Sequence, residues 1–350
     1  MKLVLSEEQR ELREAVRGFL RAASPLPKVR DGYDPQVYAR LNGELGLSGL
    51  IVPEEYGGAG AGLSELAVVL EETGAALLPG PFLATAFTAL ALTGTPDKEL
   101  LTGIAEGRVA ATLDQGELSF DGSAASGTLP RVLTGMEADV LVAPAPSGDG
   151  GGDGGGDGGG KVLLAVELAG PGVRRTALEP LDLTRGLAEV VLEGAPARVL
   201  GPAPKTGVGD RLCVALAAEQ LGVMRAALES IVAYAKVRVA FGRYIGSYQG
   251  VKHKLADMHG KLEQAESIVR YAAWAADESP GELPEAAALA QAYVGRACFE
   301  VARDHLLLHG GIGYTWEHDA HLFYKRAKAD EVLLGPPRIH RARLAHLLEL

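Results

Sequence analysis

The feature that most constrains this chain is the apolar spacing between Asp210 and Leu308. Leu221, Met224, Leu228 and Ile231 step by three and four, and so do Val251, Leu255, Met258, Leu262 and Ala265. That spacing puts each set on one stripe of a helix, and stripes this long are covered by other helices. Two such seams in succession predict a helical bundle. Pro284 lacks an N–H that a first helical turn does not need, so it suits the start of a third helix running to Leu308.

Other textures flank this block. Residues 1–105 are rich in helix formers, with a stripe at Leu66, Val69, Leu70 and Thr73 and breakers at "VPEEYGGAGAG" and "LPGPF". They read as an N-terminal helical domain. Residues 106–204 carry short Val/Leu/Ala runs between turn residues, "RVAATL", "DVLVAPA", "KVLLAVEL", "GVRRTAL" and "LAEVVLE", and read as a small middle β domain. Residues 205–350 form the C-terminal four-helix bundle. The fold class is therefore mainly α with a small β domain. Within the β region, residues 147–161, "SGDGGGDGGGDGGGK", repeat every four positions and contain nothing that can pack. Calcium-binding β-roll repeats need a nine-residue period with an apolar position, so this run reads as a mobile hairpin loop and not a metal site.

At 350 residues and 47% hydrophobic the chain can bury a sizeable core. A net charge of −11 without any Lys/Arg-dense run removes the electrostatic basis for binding nucleic acid or an anionic membrane. The opening "MKLVLSEEQRELREAVRGFL" reads as an amphipathic helix and not a signal peptide, and no apolar run reaches transmembrane length. A cytoplasmic location is expected. Cys213 and Cys298 lack ligand spacing and read as small core residues in a reducing compartment.

Two stretches carry candidate chemistry. In "KVRVAFGRYIGSYQGVKHKLADM" a helix is expected to reach Phe241-Gly242, break, and restart near Gln249. Lys236, Arg238 and Arg243 cluster there; guanidinium groups beside a turn suit a diphosphate, while cations near a helix C-terminus are equally explained by the macrodipole. In "HGGIGYTWEHDAHLFYKRA", Gly310, Gly311 and Gly313 permit close backbone approach to a ligand, or simply end a helix, and Thr315 or Asp319 is placed to cap the next one. No G-x-G-x-x-G or phosphate-loop pattern is present. His305, His309, His318, His321 and His340 lack H-E-x-x-H spacing, so no metal is expected.

Taken together these stretches, with "VPEEYGGAGAGLSELAVVLEETG", resemble the acyl-CoA dehydrogenase family across the whole chain. The likeness is greatest to the shorter subunit of its heteromeric, α2β2-type actinobacterial members. The resemblance implies a helical domain, a β barrel and a helix bundle in that order, with flavin adenine dinucleotide (FAD) shared across a subunit interface. Arg238 and Phe241 match its R-x-x-F-G positions at the pyrophosphate, and Gln249 matches a polar contact that follows. Gly310 and Gly311, with His309 beside them, match the turn under the adenosine end, and Glu317, His318 and Asp319 its support. Implied partners are a homologous subunit or a second copy, an acyl-CoA substrate, and electron-transfer flavoprotein or a similar acceptor.

The family's reaction removes an α proton with a glutamate while the β hydride passes to the flavin. At that glutamate's usual place stands Leu334, and its alternative place falls near Leu212 or Cys213. Asp210 and Glu219 are the nearest acids and are the weak base candidates. Both tryptophans, Trp274 and Trp316, lie outside the middle domain, where family members keep a ring-binding Trp. Pro336 and Pro337 replace a polar stretch, and Leu307 replaces a glutamine. The expectation is a partner subunit that completes another chain's flavin site for α,β-dehydrogenation of a bulky acyl thioester. The alternatives are a self-sufficient homotetrameric acyl-CoA or acyl-carrier-protein dehydrogenase using Asp210, Glu219 or Glu317 as base, and a purely structural partner.

Overall fold

The computed structural model describes residues 3–93, 95, 97–147, 160–204 and 206–350. The first layer is helical: α1 (Glu7–Ala23), α2 (Leu26–Val29), α3 (Pro35–Leu45), α4 (Leu63–Ala75), α5 (Phe82–Leu92) and α6 (Lys98–Ala105). Local chemistry fixes several ends. The Ser6 hydroxyl accepts from Gln9 N–H (3.1 Å) while the Gln9 side chain accepts from Ser6 N–H (3.1 Å), a reciprocal cap that uses two otherwise unpaired donors. Pro35 follows the capping Asp34, and Gly46 at φ +64° ends α3 in the left-handed region. Every residue of α5 is buried, so it runs through the core with no polar face.

Seven strands follow: β1 (Ala111–Leu113), β2 (Ser119–Phe120), β3 (Ala124–Leu133), β4 (Val140–Pro146), β5 (Lys161–Glu167), β6 (Val173–Ala177) and β7 (Leu187–Pro202). Their order is β1-β4-β5-β7-β3-β2, with β6 also on β7. Only β1 with β4 is parallel. β7 is the spine: Leu187–Leu192 pairs with β3, Ala188–Leu192 also pairs with β6, and Ala197–Pro202 pairs with β5. The chain before β2 returns to β4 through Leu118 N–H to Pro144 O (2.9 Å), bending the sheet around an interior of Leu129, Leu141, Leu164 and Val190. The Gly/Asp run falls outside the described residues except at its ends, where Ser147 N–H bonds Gly160 O (2.7 Å).

The third part comprises α7 (Val208–Val237), a hairpin of β8 (Val239–Ala240) and β9 (Arg243–Tyr244), then α8 (Gln249–Glu278), α9 (Leu283–Leu308), α10 (Ala320–Leu333) and α11 (Pro337–Leu347). Pro284 lies in the first turn of α9. The helix expected to reach Phe241 stops at Val237, because Phe241 (φ +51°) and Gly242 (φ +78°) are both left-handed and turn the chain back between paired strands. Cys213 and Cys298 are free, buried thiols, and burial pushes the Cys213 thiol up to about 12.

α4 crosses α7 in direct backbone contact. A Cβ on Gly222 would overlap the carbonyl oxygen of Glu71, and one on Gly74 that of Glu219. Both neighbours are helix backbone, so neither can yield cheaply. Gly222→Ala is therefore expected to lower stability by about 2–3 kcal/mol, the usual cost of overpacking a tight core. Urea-unfolding midpoints of parent and variant measure it.

Candidate functional site

The sequence-derived cofactor residues converge at one end of the bundle. Arg238, Phe241, His309, Gly310 and Gly311 line a single groove of about 610 Å³, together with Tyr234, Tyr248 and Leu307. Gln249 is not part of this lining; it is exposed at the first position of α8, beside Tyr248. Gly310 takes φ +68°, and a Cβ on Gly313 would meet the carbonyl oxygen of Leu306, so the turn needs glycine at both.

The rim is cationic and unpaired. Lys236, Arg238 and Arg243 have no carboxylate within 4.0 Å among the described residues. The Arg243 guanidinium lies over the Tyr248 ring (3.9 Å), and the Tyr248 hydroxyl donates to Ala240 O (2.9 Å), which ties the hairpin to α8. The hairpin tip holds the Phe241 ring 97% exposed, with Val237, Val239 and Tyr244 also exposed nearby in sequence, and Tyr314 and Trp316 exposed just after the groove glycines. Apolar exposure on this scale marks a surface that another molecule covers.

A column of tilted and edge-on rings continues from the groove. Tyr234, His309 and His318 follow one another with centroids 4.6 and 4.3 Å apart, and His305 meets His309 at 4.6 Å. The His309 Nδ1–H donates to His305 O (2.8 Å), which leaves Nε2 without a proton in the neutral ring. Burial pushes His305 down to about 3 and lowers His309, so both rings stay neutral and the positive charge here belongs to the arginines. His318 Nδ1 accepts from Ala320 N–H (3.1 Å) and so caps α10. Asp319 stands at the N-cap position of α10 as expected, but its side chain takes Arg30 Nε (3.0 Å) instead of a helix N–H, and the Thr315 hydroxyl donates to Ile312 O. Glu317 is exposed.

At the other end of α7 lies a second cavity of about 350 Å³, lined by Asp210, Cys213, Leu334 and Arg343 among others. The two sequence positions considered for the base, Leu334 and the Leu212–Cys213 region, thus meet here. Asp210 is held by both terminal nitrogens of Arg343, Nη2 at 3.0 Å, and sits inside the first turn of α7 without capping it. Sequence spacing alone gave no sign of Arg343.

Glu219 is placed differently. It accepts from Arg185 Nη2 (2.5 Å) and Arg326 Nη1 (3.0 Å). Arg326, 0% exposed, also donates to Asp182 (2.5 Å) and Thr184 Oγ1 (2.6 Å), and Arg185 pairs with Asp330. Two guanidinium groups thus face three buried carboxylates. Burial raises Asp182, but Arg326 and Arg185 outweigh it and hold Asp182 low. Asp330 absorbs the imbalance: burial and then Glu219 push it up to about 7 against the pull of Arg185, and its Oδ2 has no partner.

With the fold and these sites defined, residues 6–108 match the acyl-CoA dehydrogenase N-terminal domain and residues 210–348 its C-terminal domain. The chain belongs to the acyl-CoA dehydrogenase family, oxidoreductases acting on CH–CH groups. It is 34% identical over 347 residues to acyl-CoA dehydrogenase IpdE2 of Mycolicibacterium smegmatis, covering 97% of this chain and 98% of the relative. A Tcur3481–Tcur3483 steroid acyl-CoA dehydrogenase variant superposes with TM-score 0.86 at 30% identity, covering 98% of both chains. The ChsE4–ChsE5 complex from Mycobacterium tuberculosis gives TM-score 0.87 at 25% identity over 100% of this chain and 99% of the matched one. No helix among the described residues is long and apolar enough to cross a membrane.

The buried cluster has a pH signature. Asp330 binds a proton in the folded state up to about pH 7 but near 3.8 when unfolded, so stability falls as pH rises through that window. Asp330→Asn removes this slope. Its melting temperature relative to the parent should climb from pH 5 to pH 8, by roughly 2 °C or more. A difference flat with pH would show that Asp330 is ionised throughout.

Proposed function

We propose that this chain is the partner subunit of a heteromeric, FAD-dependent acyl-CoA dehydrogenase, lending half of a flavin site to a homologous chain that brings the catalytic glutamate. One observation carries the reading. The groove and the Leu334 cavity lie at opposite ends of α7, and Tyr234 and Cys213 are about 32 Å apart along it at 1.5 Å per residue. One FAD cannot rest its diphosphate in the groove and its ring in the same chain's cavity. The groove therefore serves a ring held elsewhere.

The residues fit the adenosine diphosphate part of that cofactor. Arg238 offers an unpaired guanidinium for the diphosphate, Gly310 and Gly311 leave the turn free of side chains, and Tyr234 with His309 gives an aromatic wall. Bound flavin supplies the hydride acceptor for the β carbon. No free base for the α proton faces this chain's own cavity, where Leu334 cannot take a proton and Arg343 holds Asp210. Two solved relatives carry two-chain names, Tcur3481–Tcur3483 and ChsE4–ChsE5, and one is a steroid enzyme; both favour a homologous partner and a bulky polycyclic acyl thioester.

A second reading keeps Asp210 as base, favoured by its position on the cavity that Leu334 lines. The two separate cleanly. Purified alone, the chain should be colourless, and co-expressed with its homologous partner it should return a yellow complex. Stoichiometric flavin in the lone chain that bleaches with an acyl-CoA would establish the second reading instead. In the complex, Arg238→Ala should weaken flavin retention by roughly tenfold to a hundredfold, the loss of charge-assisted hydrogen bonds, with subunit association unchanged by gel filtration.

A further inference from the structure

A further cavity, of about 880 Å³, is separate from the groove and neighbours the Leu334 cavity at the first turn of α7, where Arg211 lines the one and Asp210 the other. It opens where the N-termini of α1, α4 and α7 meet the C-terminal end of α8. Its acids Asp277 and Glu65 are already engaged: Asp277 takes Leu63 N–H and Ser64 N–H (2.8 Å each), and Glu65 takes Gly62 N–H (3.1 Å) and the Gln9 amide (2.9 Å). Glu278 is an exposed acid at its edge.

Its two guanidinium groups still have donors to spare. Arg270 is only 7% exposed, gives Nη2 to Glu71 and Glu266, and leaves Nε and Nη1 buried without a partner. A buried guanidinium short of two acceptors is costly, and an anion relieves it. Arg211 lines the same cavity and pairs with no carboxylate within 4.0 Å among the described residues. The rest of the wall mixes the polar Ser6, Gln9 and Ser64 with an apolar side made by Leu5, Ala273, Ala276 and the Trp274 indole, which stacks on Tyr271 (centroids 6.2 Å). A volume of this size suits a ligand of a few rings.

We propose that this cavity is a binding site for an amphipathic carboxylate, with its acid group on Arg211 and Arg270 and its ring body against Trp274. The site requires neither flavin nor a partner, so its test is independent of the subunit assignment. Trp316→Phe leaves Trp274 as the sole indole reporter, since the chain holds two tryptophans. Titrating that variant of the full chain with 1-naphthoate should quench its emission saturably. Adding Arg211→Ala should weaken the affinity by roughly tenfold or more, as should replacing the probe with 1-naphthamide. Arg211 makes no ion pair, so its loss leaves folding intact, which unchanged far-UV circular dichroism would register. Equal affinity for acid and amide, an unchanged affinity in the Arg211→Ala chain, or linear unsaturable quenching would each overturn the site.

Discussion

The backbone contact between α4 and α7 governs what surrounds it. Gly74 and Gly222 bring the two helices together with no side chain between them. At so short a spacing Glu71 and Glu219, one on each helix, have nowhere to go but inward. A buried carboxylate stays folded only with cationic partners, and each gathers them from other elements. Glu71 collects Arg13 of α1 (3.9 Å), Arg225 of α7 (2.7 Å) and Arg270 of α8. Glu219 collects Arg185, from the segment before β7, and Arg326 of α10. The first set ties the N-terminal helices to the bundle, and the second ties the β region to it. Buried ion pairs of this kind add little net stability, because the cost of desolvating the charges offsets much of their attraction, but removing one partner leaves a buried charge uncompensated.

What could be read in the sequence follows from how local each cause is. The seams of α7 and α8 were visible because three- and four-residue spacing is a property of neighbours, and the start of α9 because Pro284 carries its own preference. The β8–β9 hairpin was hidden: "VRVAFG" continues a helical texture, and only the paired positive φ values at Phe241 and Gly242 reverse it. Neither buried cluster was legible, since Arg326 and Asp182 stand 144 positions apart and nothing in either neighbourhood points to the other. Arg343 beside Asp210 was missed for the same reason. Five of the six residues taken from family resemblance do line one groove, yet their convergence depends on α7, α9 and the hairpin folding around it.

Charge is distributed against the overall balance. A chain of net charge −11 would be expected to surround its cations with acid, as it does for Arg185, Arg225, Arg270 and Arg326. At the groove it does not. Lys236, Arg238 and Arg243 stand unpaired beside a hairpin whose outermost ring is a solvated phenylalanine, and the adjoining imidazoles are kept neutral by burial. Neutral rings add no positive charge of their own, so the field at the groove mouth comes from guanidinium and ammonium groups that can reorient toward an incoming diphosphate. Free cations and free apolar surface in one place are both unfavourable in an isolated chain, and an anionic ligand with an apolar body seated there would relieve both.

The same reasoning separates the two ends of α7 chemically. In the Leu334 cavity, at the Val208 end, the acid is already satisfied: Asp210 is paired with Arg343, and burial keeps the Cys213 thiol protonated. A base must have a lone pair facing the carbon it deprotonates, and a carboxylate clasped by both terminal nitrogens of one guanidinium has little left to offer. Freeing Asp210 would also leave Arg343 without the hydrogen bond that raises its own pKa. The Val237 end is the reverse, with donors waiting and no acceptor of its own. One helix thus carries a closed end and an open end, and the open end makes sense only beside a molecule this chain does not contain.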